Sequence, residues 1–251
     1  GKNIVSLIKK YSPEIQGISD LKFKTADIKE QEKLILPENF VVLSEYSGKD
    51  PDILSTINYL KSRNVSSFDI GRWRILAYKS GRFRRRVVIP SFDDTGNLNY
   101  FIARTIDDIK PKYRNAHAKK SDIIFNEIDI DWSKPVILVE GIFDALKSPE
   151  NSIPILGSTL PPGSLLFERL VSNQCEVFLS LDPDMKSKAY DIAKSLSRMG
   201  CSVYISFANP GNDIGQLTKA EARKLLSSSV PYRSEESLYY KIGKIRSGSV
   251  I

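Results

Sequence analysis

Val136-Ile137-Leu138-Val139-Glu140-Gly141-Ile142-Phe143-Asp144-Ala145-Leu146 is the stretch on which the reading of this chain turns. An apolar run of strand length ends in a carboxylate, and a glycine follows it. A second stretch, Val177-Phe178-Leu179-Ser180-Leu181-Asp182-Pro183-Asp184, ends the same way. Two parallel strands that finish in acids bring those acids into one crevice at the carboxyl edge of the sheet, where open α/β sheets bind ligands. Clustered carboxylates repel one another unless cations lie between them, and Mg²⁺ takes hard oxygen ligands. The pair of stretches therefore predicts a Mg²⁺-dependent phosphoryl-transfer site.

Strand and helix alternate outward from these stretches. The pattern predicts strands over 136–140, 153–156, 177–181 and 202–207, and helices over 142–148, 163–172 and 186–199. Ala189, Ile192, Ala193, Leu196 and Met199 form a one-sided stripe on the last helix, and Gly200 ends it. Such alternation predicts an α/β fold with a mainly parallel sheet flanked by helices.

Upstream the pattern is different. A helix is predicted near the N-terminus from Ile4, Leu7 and Ile8, stopped at Ser12-Pro13. A second runs from Pro51 or Asp52 to about Arg63, with Asp50 as its N-cap. Residues 87–92 and 98–104 read as a hairpin around Asp93-Asp94-Thr95-Gly96-Asn97, and Pro90 suits an edge position. The form of the tail from Ser234 is left open.

The chain has 251 residues, 37 Lys and Arg against 30 Asp and Glu, and a net charge of +7, so its surface should attract polyanions. Arg72, Arg74, Lys79, Arg82, Arg84, Arg85 and Arg86 follow one another with no acid among them. Trp73, Tyr78 and Phe83 are interleaved, a mix that suits phosphate contacts with base stacking. The competing reading is a solvated basic face. One histidine, His117, leaves little for a His-based site, and Cys175 and Cys201 read as small buried hydrophobes. With no membrane-length apolar run and no signal-peptide core, a cytoplasmic setting is expected.

In order along the chain, these segments resemble the catalytic core of the bacterial-type (DnaG-type) DNA primases, whose C-terminal half is a Toprim domain. Arg84-Arg85-Arg86-Val87-Val88-Ile89-Pro90, Asp94-Thr95-Gly96 and Phe101-Ile102-Ala103-Arg104 resemble the family's basic strand, hairpin and closing arginine. Pro111-Lys112-Tyr113 with Asn115 is similar to its Pro-Lys-Tyr motif. Glu140-Gly141-Ile142-Phe143-Asp144, Leu156-Gly157-Ser158-Thr159, Asp182-Pro183-Asp184 and Gly211-Asn212-Asp213 are similar to the Toprim motifs. The family's usual second acid after the third motif is replaced by Gly215, and Tyr100-Phe101-Ile102-Ala103 is bulkier than the usual glycine-rich hairpin end.

The resemblance implies a Toprim-type parallel sheet flanked by helices, preceded by a basic mixed α+β N-terminal subdomain. It divides the chain into residues 1–134 (basic subdomain), 135–220 (Toprim domain) and 221–251 (short tail or partial helical subdomain). It implies Glu140, Asp182 and Asp184 as catalytic carboxylates, and the same three with Asp213 and Asp144 around Mg²⁺ or Mn²⁺. Arg104, Lys112, Tyr113 and Asn115 would bind nucleotide, and Arg84, Arg86 and Arg74 the template. Implied partners are single-stranded DNA, ribonucleoside triphosphates, a replicative helicase and a zinc-binding module. No zinc site is expected within the chain, which reads either as an excised core or as a compact version of viral (phage) type.

Blander readings stand beside these. Asp184 could cap the 186–199 helix, Asp182-Pro183 could initiate a turn, Glu140 could complement a helix dipole, and Asp213 could be an ordinary loop acid. A Toprim-type nuclease needs the acids but not the Arg104–Lys112 site. A non-catalytic single-strand-binding module needs neither. A helicase lacks support, because no Gly-x-x-x-x-Gly-Lys-Ser/Thr loop is present.

Overall fold

Two sheets account for most of the architecture. In the computed structural model, residues 34–207 and 217–246 are described. The first sheet is antiparallel, in the order β1 (Phe40–Val42), β2 (Leu76–Tyr78), β3 (Arg86–Phe92), β4 (Leu98–Thr105). Between β1 and β2 lie α1 (Pro51–Ser62) and α2 (Ser67–Arg72). Asp50 caps α1 by accepting from the backbone N–H groups of Asp52 (3.0 Å) and Ile53 (3.1 Å). The β3–β4 hairpin turns at Gly96, whose φ of +84° suits a residue without Cβ. Asp93 Oδ1 fixes the turn by accepting from the N–H groups of Thr95 (3.0 Å) and Asn97 (2.8 Å).

Pro90 is on a strand with neighbours on both sides, yet it costs no ladder bond. β2 pairs with β3 only at Leu76–Val88, so at Pro90 the strand has Phe101 of β4 as its one partner.

The second sheet has the order β6-β5-β7-β8-β9: β5 (Val136–Val139), β6 (Ser152–Pro154), β7 (Glu176–Ser180), β8 (Ser202–Ser206) and β9 (Val230–Pro231). All pairs are parallel except β8–β9. α3 (Ile142–Lys147), α4 (Leu165–Ser172) and α5 (Lys186–Arg198) make the crossovers. These match the expected alternation to within two or three residues at each end, and Gly200 ends α5 at φ +95°. α6 (Lys219–Ser227) and α7 (Ser234–Arg246) follow, so the open tail is helical.

Strand alternation explains how the two sheets share an interior. Val136 and Leu138 of β5 enter one apolar cluster with Leu166, Leu170, Ile192 and Leu196. Ile137 and Val139 enter the other, with Phe143, Val87, Ile89 and Phe101. One face of the parallel sheet therefore packs on α4 and α5, and the other on the basic half. Together the described residues form one compact unit. Polar ties cross the same boundary. Lys147, 2% exposed, donates to the Asn64 carbonyl (2.9 Å). Lys219 at the start of α6 pairs with Asp69 of α2, itself 2% exposed.

Three aromatic residues of the basic run are core residues, which corrects the base-stacking expectation. Trp73, Tyr78 and Phe83 are 3%, 4% and 2% exposed, and they pack on Phe125, on one another and on Phe101. The free cysteines Cys175 and Cys201 are both buried. The expected helix around Ile4–Ile8, and Asp213 with Gly215, lie outside the described residues.

Candidate functional site

The strand order puts the two acidic stretches side by side. From β5 the chain crosses to β6 on one flank, then returns to β7 on the other, so β5 and β7 border the point where the winding reverses. Ligands of open α/β sheets bind at this point, beyond the carboxyl ends of the strands. Val139 pairs with Ser180 in parallel register. Glu140 follows the first, and Leu181-Asp182 the second.

Glu140 is half-buried, and its Oε2 is shielded from solvent without a hydrogen-bond partner. Its pKa is raised, first by burial, then by the negative charges of Asp182, Asp144 and Asp184; Lys188 opposes them. The four acids are therefore within electrostatic reach of one another. Asp144 caps the chain locally: its Oδ2 accepts from the Gly141 N–H at 2.9 Å. Asp182 precedes a one-turn helix, Pro183–Met185, without capping it through its side chain, and the N-cap position of α5 is Met185, not Asp184. Asp184 thus does not cap α5, whereas Asp182-Pro183 does initiate a turn, closed by the Met185 N–H donating to the Asp182 carbonyl at 2.9 Å. Among the described residues, no three acids, histidines or cysteines converge as a ready metal site. An orphaned carboxylate oxygen amid like charges is nonetheless the environment that a cation relieves, and the donor set is all hard oxygen, as Mg²⁺ or Mn²⁺ prefers.

In the basic half, residues 112–116 lie antiparallel against β4. Thr105 N donates to Lys112 O (3.0 Å), Arg114 N to Ala103 O (2.9 Å) and Ala116 N to Phe101 O (3.0 Å). Arg104 thereby faces Tyr113, and its Nη1 donates to the Tyr113 hydroxyl at 2.6 Å. Lys112 is exposed and is set against Thr105 rather than against Arg104. Asn115 is half-buried beside the Tyr100 hydroxyl, whose pKa burial raises and this hydrogen bond lowers. Its Oδ1 is buried without a partner, as is Arg104 Nε.

Phe143, three residues beyond Glu140, connects these two sides. The Arg104 guanidinium carbon is 4.8 Å from the centre of its ring, and that of Arg63 is 4.9 Å. Sequence reasoning missed both Arg63 and Phe143. Arg63 read only as the end of a helix, and Phe143 only as an apolar member of an acidic motif.

The template candidates are distributed differently from expectation. Arg86 is 2% exposed, and its guanidinium donates to the carbonyls of Ala103 (3.3 Å), Lys112 (3.4 Å) and Pro111 (2.9 Å). It fixes the 111–112 backbone from within instead of lining an open face. Arg84 and Arg86 do not share one strand face, as period-two alternation would place them, because β3 begins only at Arg86 and Arg85 has a left-handed backbone, φ +54°. Arg84 is exposed and reaches Asp52 Oδ2 at 2.6 Å; Arg85 joins Asp52 and Asp107. Arg74 is held in a two-point bond to Asp129 (2.8 and 3.0 Å). His117 is exposed.

No family model matches the chain. It is 27% identical over 207 residues to a DNA primase of Thermotoga maritima, covering 75% of this chain and 33% of that protein. A DNA primase of Clostridium acetobutylicum is 27% identical over 149 residues, 53% of this chain and 24% of that protein. The chain thus spans a third or less of the length of the curated relatives it matches. Among solved structures, the zinc-binding and RNA polymerase domains of the Aquifex aeolicus primase superpose with a TM-score of 0.60 at 24% identity, covering 70% of this chain and 56% of that one. A DnaG primase catalytic domain bound to single-stranded DNA gives 0.59 at 20% identity, over 73% and 74%. The Escherichia coli primase catalytic core gives 0.59 at 19%, over 76% and 78%. The chain is similar in sequence to DNA primases and has the fold of the DnaG catalytic core.

Proposed function

We propose that this chain is the catalytic core of a DNA primase, a DNA-directed RNA polymerase that joins ribonucleotides into short primers on single-stranded DNA. The observation that carries the reading is Glu140: a half-buried carboxylate with an orphaned oxygen, at the sheet's switch point, in the field of Asp182, Asp144 and Asp184. Similarity to proteins named DNA primase supports the reaction class. That a DnaG catalytic domain of the same fold binds single-stranded DNA supports the template.

On this reading Glu140, Asp182 and Asp184 hold Mg²⁺ or Mn²⁺, with Asp213 as a further ligand and Asp144 fixing the turn that presents Glu140. A divalent cation bound there would neutralise charge at the reacting phosphates and acidify the attacking 3′-hydroxyl. Arg104 grips the triphosphate through its planar fork, and Lys112 adds a point charge. Tyr113 and Asn115 line the same side. Arg84 and Arg74 meet template phosphates, and Arg86 acts indirectly through the 111–112 backbone. Residues 1–134, 135–220 and 221–251 serve as basic subdomain, Toprim domain and C-terminal segment. A helicase and a zinc-binding module act with the core, in the cytoplasm of a bacterium or of a phage's host.

The test is incorporation of labelled ribonucleotides on a single-stranded template, with a zinc-binding module of a related primase supplied in trans. Wild type should synthesise primer only with a divalent cation, and Glu140→Gln should lose at least about a hundredfold in rate. Metal-dependent DNA cutting without nucleotides, unchanged by Lys112→Ala, would replace this reading with a nuclease.

A further inference from the structure

A guanidinium can be held in place by a carboxylate or by an aromatic ring, and the two differ in what remains of its charge. Arg74, Arg84, Arg85 and Arg169 are held by carboxylates, which neutralise them. Arg63 and Arg104 enter no ion pair among the described residues, and both have a buried Nε without a hydrogen-bond partner. What holds them is Phe143, 5% exposed, with guanidinium carbons 4.9 and 4.8 Å from its ring centre. Tyr59 meets the same ring edge-on, at 6.4 Å and 89°, and Tyr113 holds Arg104 from its other contact, with the guanidinium carbon 5.4 Å from the ring centre. A ring attracts a cation through its quadrupole and takes none of its charge. One ring shared by two cations also offsets their mutual repulsion while they wait for an anion.

We propose that Phe143 is a positioning residue for polyphosphate capture: its ring holds Arg63 and Arg104 in fixed directions beside the acidic crevice, with both positive charges left for the triphosphate of the incoming nucleotide. The identity of the ligand rests on the primase reading; the positioning of the two arginines does not. Arg63 projects from the turn after α1 and Arg104 from β4, and the ring on the first turn of α3 is the side chain that both guanidinium groups share.

The deciding experiment changes the quadrupole without changing the shape. Stepwise fluorination of the Phe143 ring, in the full chain, weakens cation–π attraction while preserving packing. ATP with Mg²⁺ and an oligodeoxythymidylate template is the probe. Phe143→Leu should raise the ATP dissociation constant and KM about tenfold, with kcat at saturating ATP changed less than about twofold. Fluorinated rings should fall between in graded order. In nitrogen-resolved NMR, the Arg63 and Arg104 Nε–H signals should carry ring-current shifts that Phe143→Leu abolishes. If ATP affinity ignores fluorination, if the loss falls on kcat alone, or if wild type binds no ATP, the positioning role is wrong. If wild type makes no RNA while ATP binding still follows fluorination, the primase reading falls and the positioning role stands.

Discussion

Val139 of β5 lies in register with Ser180 of β7, and this pairing makes neighbours of two acids 42 positions apart in the chain (Glu140 and Asp182). No turn or helix brings them together; only the parallel ladder does. The arrangement has an energetic signature. A half-buried Glu140 surrounded by negative charge destabilises the folded protein until a cation arrives. In EDTA at neutral pH, Glu140→Gln should be more stable than wild type by on the order of 1 kcal/mol, roughly 2–4 °C in melting temperature. Saturating Mg²⁺ should stabilise wild type, by about 2.7 kcal/mol at a hundred times its dissociation constant, and leave the variant nearly unmoved. Thermal melts of both proteins, with and without Mg²⁺, check this. A wild type indifferent to Mg²⁺ would contradict a cation site.

Tyr113 gives Arg104 both a ring and a hydrogen-bond acceptor. Tyr113→Phe removes only the acceptor. Hydrogen bonds to charged groups contribute about 1.5–3 kcal/mol when sheltered, and Tyr113 is 39% exposed, so the low end applies. We expect a rise of about tenfold in nucleotide KM with kcat nearly constant, and a larger rise for Tyr113→Leu. Steady-state kinetics on one template distinguishes the three proteins.

Arg84 and Arg86 are two residues apart and should fail differently. Arg86→Met strips donors from three carbonyls around the 111–112 segment and should cost about 2–3 kcal/mol in urea unfolding, with weaker nucleotide binding. Its effect on template affinity should not vary with salt. Arg84→Ala should leave stability within about 0.5 kcal/mol. It should reduce the salt slope of single-strand binding by at most about 0.7, since Asp52 already compensates part of its charge. Equal salt dependence in both variants would refute the division.

The Asp69–Lys219 pair should be visible in the pH dependence of folding. Burial raises the Asp69 carboxyl, but Lys219 and Ser66 outweigh it, and the net shift is below the ordinary 3.8. An acid whose folded pKa is lowered contributes stability above its unfolded pKa and loses it as pH falls through the folded value. Lys219→Met should therefore destabilise the protein at pH 7, by about 2 kcal/mol given that Lys219 is one-third exposed. The gap should narrow as pH falls below about 4 and close only once pH passes the folded value, where Asp69 protonates. Urea unfolding at pH 7 and at successive steps below about pH 4 follows the loss.

Much of the second sheet was legible because its signals are local. Val136–Val139 and Glu176–Ser180 are apolar runs with clear stops, and α5 announces itself by its stripe and Gly200. The three-residue strands β1 and β2 and the six-residue α2 carry too few residues to show a period, so they were not anticipated. Long-range choices were illegible for another reason. Whether Arg86 faces outward depends on where β3 begins and on the backbone at Arg85, neither of which a charge pattern records. Trp73, Tyr78 and Phe83 satisfy a nucleic-acid pattern and a core pattern equally, and only tertiary packing separates the two. Arg63 joins the site through Phe143, a contact 80 positions away that has no counterpart in any motif.

Because Ile137 and Val139 point into one interior and Val136 and Leu138 into the other, β5 works as a party wall. Severing the polypeptide ahead of Pro135 would not liberate a self-sufficient half. The fragment would keep its ladder and its acids but present a bare greasy flank to water, and it would be prone to clump rather than remain monomeric.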